Sequence, residues 1–183
     1  MTRPFPFLFA LLTLASSAHA QSRPKKGGHN GAPKSVCLFS EDFSAGIPSG
    51  WNIGAQVEQQ DALGNGLGTL VDAWVTGTSA QANAHASFPV PDEPAGNLFA
   101  MANDDAAPCN CAMDDVILTS STFDLSGVQN AAVRFRAFTD GAFGGGDGVV
   151  EASNDGNTWS SVATIGAVQH AWQWLQADLS AFD

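Results

Sequence analysis

Eight short runs of apolar and β-branched residues, set among turn-forming glycine, asparagine, aspartate and proline, occupy the chain from Cys37 onward: residues 37–43, 69–75, 97–102, 116–120, 131–138, 149–153, 160–165 and 172–179. No window of about twelve residues repeats its apolar positions with a helical period, which argues against long amphipathic helices. Many short strands joined by Gly-rich and Asn-rich turns predict an all-β antiparallel domain, a sandwich or jelly roll, in preference to a helical or doubly wound one. Residues 131–138, AAVRFRAF, alternate most clearly. Val133, Phe135 and Ala137 fall on one face and Arg134, Arg136 and Phe138 on the other, as in a half-buried strand. The two arginines are expected to pair with surface carboxylates, an interaction of about 0–1 kcal/mol. Residues 149–165 read as a hairpin whose Asn154, Asp155, Gly156 and Asn157 tolerate positive φ. Trp159 is expected to pack back across its strands.

Residues 1–20 have a different character. Arg3 precedes an apolar stretch from Phe5 to Leu14, broken by Pro6 and Thr13, and small residues lead into Ala18, His19 and Ala20. This is the pattern of a secretory leader cleaved after Ala20. Its apolar core of about ten residues is well short of the roughly 20 that span a bilayer, so the mature chain is not expected to insert into a membrane. The mature protein is therefore expected to be secreted or displayed at the cell surface, where thiols oxidise. Residues 21–36 hold four basic residues, two prolines and three glycines without apolar periodicity and read as a flexible basic linker. Residues 37–183 form one domain, long enough to bury a core.

In that domain only Arg134 and Arg136 stand against all 18 acidic residues, a balance of 2 against 18, or −16. Such a surface repels phosphate backbones, so no nucleic-acid partner is expected. The charge serves solubility, and locally it can gather a cation. Its densest constellation is Asp104, Asp105, Asp114 and Asp115, joined by Glu41 and Asp42 if the first strand lies nearby. Hard oxygens on irregular loops suit calcium, which makes these six a candidate calcium site. The competing reading is a set of solvated loop carboxylates.

Cys109 and Cys111 are too close in sequence to bridge each other easily, whereas either can reach Cys37. The candidate disulfide therefore joins Cys37 with Cys109 or Cys111, leaving one thiol over. A zinc site lacks ligands. His29, His85 and His170 accompany neither a GxSxG elbow nor an HExxH helix, so no catalysis is expected. The contrasting reading is a secreted hydrolase using carboxylates near Asp104 or Asp114. The aromatic supply is large, with 5 tryptophans and 12 phenylalanines. Trp172 and Trp174 share one strand face, where they either pack the core or, exposed, stack on sugar rings or dock a protein.

Four features follow in order: Glu41-Asp42-Phe43 with Gly50-Trp51; Asn103-Asp104-Asp105 with Cys109 and Cys111; Phe123-Asp124-Leu125-Ser126; and Ser153 through Trp159 leading to Asp178-Leu179-Ser180. In this order, residues 37–183 resemble the secreted bacterial jelly-roll modules related to MAM and cleaved-adhesin domains, often called choice-of-anchor domains. The resemblance implies an antiparallel jelly-roll β-sandwich, concanavalin- or galactose-binding-like. It implies a non-catalytic adhesion or binding module for extracellular protein or carbohydrate, or else an accessory or spacer domain of a larger secreted protein. In such modules further strands usually follow a segment like residues 174–182, so the resemblance also implies sheets that lack one or more C-terminal strands, with exposed edges.

Overall fold

A computed structural model describes residues 8–11, 17–19, 35–54, 57–60, 66–71, 74–84, 90–103, 116–140, 148–166 and 168–182. Its strands are β1 (Leu8–Leu11), β2 (Ser17–His19), β3 (Ser35–Cys37), β4 (Val57–Gln60), β5 (Gly66–Val71), β6 (Val75–Thr78), β7 (Leu98–Ala102), β8 (Ala132–Asp140), β9 (Gly148–Ala152), β10 (Ser160–Ile165) and β11 (Val168–Asp178), with a short α-helix, α1 (Ser79–Asn83), after β6 and a 3-10 turn, Ser180–Phe182, after β11. The expected all-β character holds. A five-stranded sheet in the order β11-β8-β1-β7-β6 carries the domain, and β9–β10, β2–β3 and β4–β5 form two-stranded sheets.

Two-residue alternation in β8 explains how the cores divide. Val133, Phe135 and Ala137 are buried with Ile165 of β10 and Ala177 of β11, and Val150, Val162, Ala163, Leu175 and Leu179 close around them. The β9–β10 hairpin thus covers one side of the strand. Phe138 belongs to a second cluster with Phe43, Trp51, Trp74, Phe99, Met101 and Trp172. Phe39, Ile47, Ile53, Val116 and Leu118 cover that cluster from the loops. Phe135 and Phe138 are 1% and 0% exposed, so the strand that alternation marked as half-buried is buried on both faces over its second half.

The predicted first strand, residues 37–43, is strand only through Cys37. Glu41 Oε1 accepts from the Phe43 amide and Asp42 Oδ1 from the Ser44 amide, at 2.6 and 2.9 Å. These local bonds compete with a sheet ladder and turn the chain. Phe43 adopts φ 59°, a strained value for an aromatic residue, yet it is fully buried edge-on to Trp51 at 5.7 Å. Burying a phenylalanine side chain stabilises by about 1.5–3 kcal/mol, enough to offset the strain. The run at 116–120 supplies only a bridge between Thr119 and Asn52, with amides and carbonyls exchanged at 2.8 and 2.9 Å. Gly54 follows with φ +77°, and a Cβ there would lie 2.9 Å from the Ile117 carbonyl oxygen, so this corner needs glycine. Helix α1 is held by a capping box in which Thr78 and Gln81 satisfy each other's amides.

The 149–165 hairpin forms as expected, with a side-chain-built turn. Asp155 Oδ1 accepts from the Asn157 and Thr158 amides at 2.8 and 2.7 Å, and Ser153 Oγ accepts from the Gly156 amide at 2.9 Å. Trp159 differs from expectation and stands 43% exposed beside this turn. The amide donors of Thr158 and Asn157 and the Ser153 hydroxyl hold the Asp155 carboxyl down to about 2. A carboxylate with a depressed pKa contributes fully above its ordinary value and loses that contribution as pH falls through the folded value. The Asn157 and Thr158 amide resonances are therefore expected to be unchanged between pH 7 and 4 and to titrate together with a midpoint near 2. Asp155→Ala should collapse their shifts toward disordered values at neutral pH; unchanged shifts would remove the carboxylate from the turn.

Candidate functional site

Strands β8 and β11 run antiparallel, with Trp174 opposite Arg136, Leu175 opposite Phe135 and Gln176 opposite Arg134. The register slips between Gln169 and Gln173, which places Trp172 at an irregularity in the ladder. This separates the fates of the two tryptophans. Trp172 lies in the core, edge-on to Phe99 at 5.1 Å and tilted against Phe138 at 5.7 Å, and its Nε1 donates to the Pro91 carbonyl at 2.9 Å. Trp174 is 53% exposed, and the Arg134 guanidinium lies 4.4 Å from its ring centroid.

Arg136 links the pair to the segment that follows α1. Its guanidinium carbon lies 5.7 and 5.9 Å from the rings of Trp172 and Trp174. Its Nη1 donates to the Glu93 carbonyl at 2.9 Å, and Nη2 stands 3.7 Å from the exposed Glu93 carboxylate. Pro91, two residues earlier, accepts from both Trp172 and the Ser79 hydroxyl, while Asn83 Nδ2 donates to the Val90 carbonyl. The expected pairing of arginine with a carboxylate is thus met at Arg136, whereas Arg134 uses an aromatic face.

The result is a fixed strip in which the two arginines of the strongly acidic segment flank one exposed indole. A guanidinium stacked on a ring keeps its in-plane N–H groups for carboxylate, sulfate or phosphate oxygens. Each exposed cation–π contact contributes about 0.5–1 kcal/mol. Sequence reasoning found the tryptophan pair but assigned the arginines only to surface pairing. The signal that marks them is their spacing, two residues apart, in a domain with no other cation.

A second, apolar feature lies elsewhere. Ile47, Pro48, Trp51, Ile53 and Trp74 line a shallow open hollow of about 450 Å³. The Trp74 indole N–H is buried and has no hydrogen-bond partner among the described residues. Among the described residues no charged side chain lines the hollow, and Ser49 and Thr76 add hydroxyls to its wall.

The remaining sequence candidates stand as follows. Glu41 and Asp42 each commit an oxygen to the turn described above, and the Ser44 amide and hydroxyl hold the Asp42 carboxyl below its ordinary range. Asp124 and Asp178 repeat that arrangement, with Oδ1 accepting from the amides of Ser126 and Ser180 at 2.9 and 2.8 Å and their carboxyls likewise lowered. Three Asp-x-Ser segments are therefore turn-forming devices. Asp104, Asp105, Asp114 and Asp115 lie outside the described residues, as do His29, His85, Cys109 and Cys111. Among the described residues no three His, Cys, Asp or Glu side chains gather as a metal site. Cys37 is exposed and meets no other cysteine among the described residues, and its Sγ donates to the Phe39 carbonyl at 3.1 Å.

The split between the tryptophans sets a stability test. Trp172→Phe deletes the bond to Pro91 as well as ring volume and is expected to cost about 1–3 kcal/mol in urea unfolding. Trp174→Phe is expected to stay within about 0.5 kcal/mol of the parent. Equal losses would place both rings in the core. Compared with known proteins, the chain matches no protein-family model, no curated protein and no solved structure.

Proposed function

We propose that this chain is an exported, non-catalytic binding module of the jelly-roll β-sandwich type, and that the strip formed by Trp174, Arg134 and Arg136 is its contact surface. The observation that carries the reading is the exposed Trp174 indole with a guanidinium stacked on it and a second alongside. A planar apolar ring with the exposed Arg134 guanidinium stacked on it, steadied by Arg136 that is itself bonded to Glu93, suits a sugar that presents a pyranose face and a carboxylate or sulfate on one unit. Of the two partner classes expected from the sequence, carbohydrate is favoured, because stacking plus one anionic contact recurs along a polysaccharide chain. An extracellular protein with an exposed carboxylate is the other. The leader pattern supports export, and Asp104, Asp105, Asp114, Asp115, Glu41 and Asp42 are retained as candidate ligands of a stabilising calcium ion.

The test is titration of residues 21–183 with a sparsely acidic polysaccharide, glucuronoxylan, whose uronates sit far apart on neutral sugars so that the −16 domain does not face a dense polyanion, and with a neutral one, arabinoxylan, followed by tryptophan fluorescence in calcium and in chelator. Saturable quenching by the acidic polymer is expected. Trp174→Ala should weaken binding at least about tenfold, consistent with about 1.4 kcal/mol or more from one stacked ring. Arg134→Ala should weaken it less and flatten its salt dependence. No difference between the polymers, or binding indifferent to both substitutions, would sink this assignment.

A further inference from the structure

The middle strand of the main sheet comes from the leader-like segment. Strand β1, Leu8–Leu11, lies between β7 and β8 and is antiparallel to both, with Phe9 opposite Met101 on one side and Phe138 on the other, and Ala10 opposite Ala100 and Ala137. Cleavage after Ala20 removes this strand. Because β7 and β8 are each antiparallel to β1, they are parallel to each other, with one strand's width left between them. Neighbouring strands sit about 4.8 Å apart, so closing the gap would move one half of the sheet by about that distance. Trp172 resists such a shift. It packs on Phe99 of β7 at 5.1 Å and on Phe138 of β8 at 5.7 Å, which ties the two sides at their present spacing.

We propose that the slot between β7 and β8 is a strand-acceptor site of the exported protein, which takes an extended apolar segment of a partner polypeptide, antiparallel to both walls. The chemistry of the occupant follows from the walls. Ala100, Met101, Ala102, Ala137, Phe138 and Thr139 are buried with a strand in place, so backbone groups facing the slot lie in a dry setting, where unmet amides and carbonyls are costly. An added strand satisfies them along both edges at once. The position between Ala100 and Ala137 is followed by one between Met101 and Phe138, which favours a segment of at least four apolar residues like LFAL. The −16 balance of residues 37–183 disfavours acidic flanks.

The inference rests on the export reading, so the test begins with the intact mass of the protein collected after export from a bacterial host. Retention of residues 1–20 would overturn both, since the slot would then keep its own strand. With Ala20 cleaved, the exported chain is mixed with a peptide of residues 5–14 carrying two C-terminal lysines for solubility. The expected results are saturable binding, a rise of several degrees in Tm, and slowed amide exchange confined to Leu98–Ala102 and Ala132–Asp140. A peptide with Ala10→Pro, which lacks one ladder donor and kinks the strand, should do none of these. If the exported chain alone shows no cooperative unfolding, recovery of a transition on adding the peptide supports the proposal equally. A cooperatively folded chain whose Tm and exchange ignore the peptide overturns it, as does a stable homodimer that excludes the peptide.

Discussion

Phe135 and Phe138, three residues apart on β8, project into different cores and are both fully buried. Almost every other feature hangs on that strand. On the Phe135 side, the β9–β10 hairpin finds the apolar face it needs, since an isolated two-stranded hairpin is marginal in water. On the Phe138 side, the loops around Phe43 and Trp51 settle without regular structure because aromatic packing takes the place of a ladder. Between the two phenylalanines sits Arg136, whose guanidinium reaches out beside Trp172 and Trp174. The candidate contact strip is therefore built on the most constrained strand of the domain, which is where a binding surface keeps its geometry most cheaply.

The acidic surplus has two physical roles. At Asp42, Asp124, Asp155 and Asp178 it is structural, because each carboxylate caps its own turn by accepting a backbone amide two residues on. These anions give the loops definite shapes where long strands are absent. Elsewhere the surplus sets a negative field over residues 37–183 in which Arg134 and Arg136 stand as the two arginines.

Much of the sheet was legible because its period is two and its turns carry Asn, Asp and Gly. Residues 160–165 coincide with β10, and 131–138 fall one residue from the start of β8 and two from its end. The first predicted strand was misread because Glu41 and Asp42 bond to the backbone just ahead of them, an option that apolar patterning does not register. Helix α1 is too short for periodicity, although Thr78 and Gln81 have the capping-box spacing. At the site, the shared face of Trp172 and Trp174 was legible, since both approach Arg136. Which ring is buried was not, because that depends on the slip in β11 and on Pro91, 81 residues away in sequence, arriving to accept the indole N–H. The stacking of Arg134 was missed for a related reason, since charge counting favours a carboxylate partner where the geometry offers a ring.

The dependence of both cores on β8 is tested most directly by scanning calorimetry of Phe135→Leu and Phe138→Leu beside the parent chain. Each substitution removes buried volume from only one core and should cost about 1–2 kcal/mol. If the strand couples the cores, each variant keeps a single transition, displaced as a whole to lower temperature. Two resolved transitions, of which Phe135→Leu moves one and Phe138→Leu the other, would mean that the cores unfold independently and that β8 does not unite them.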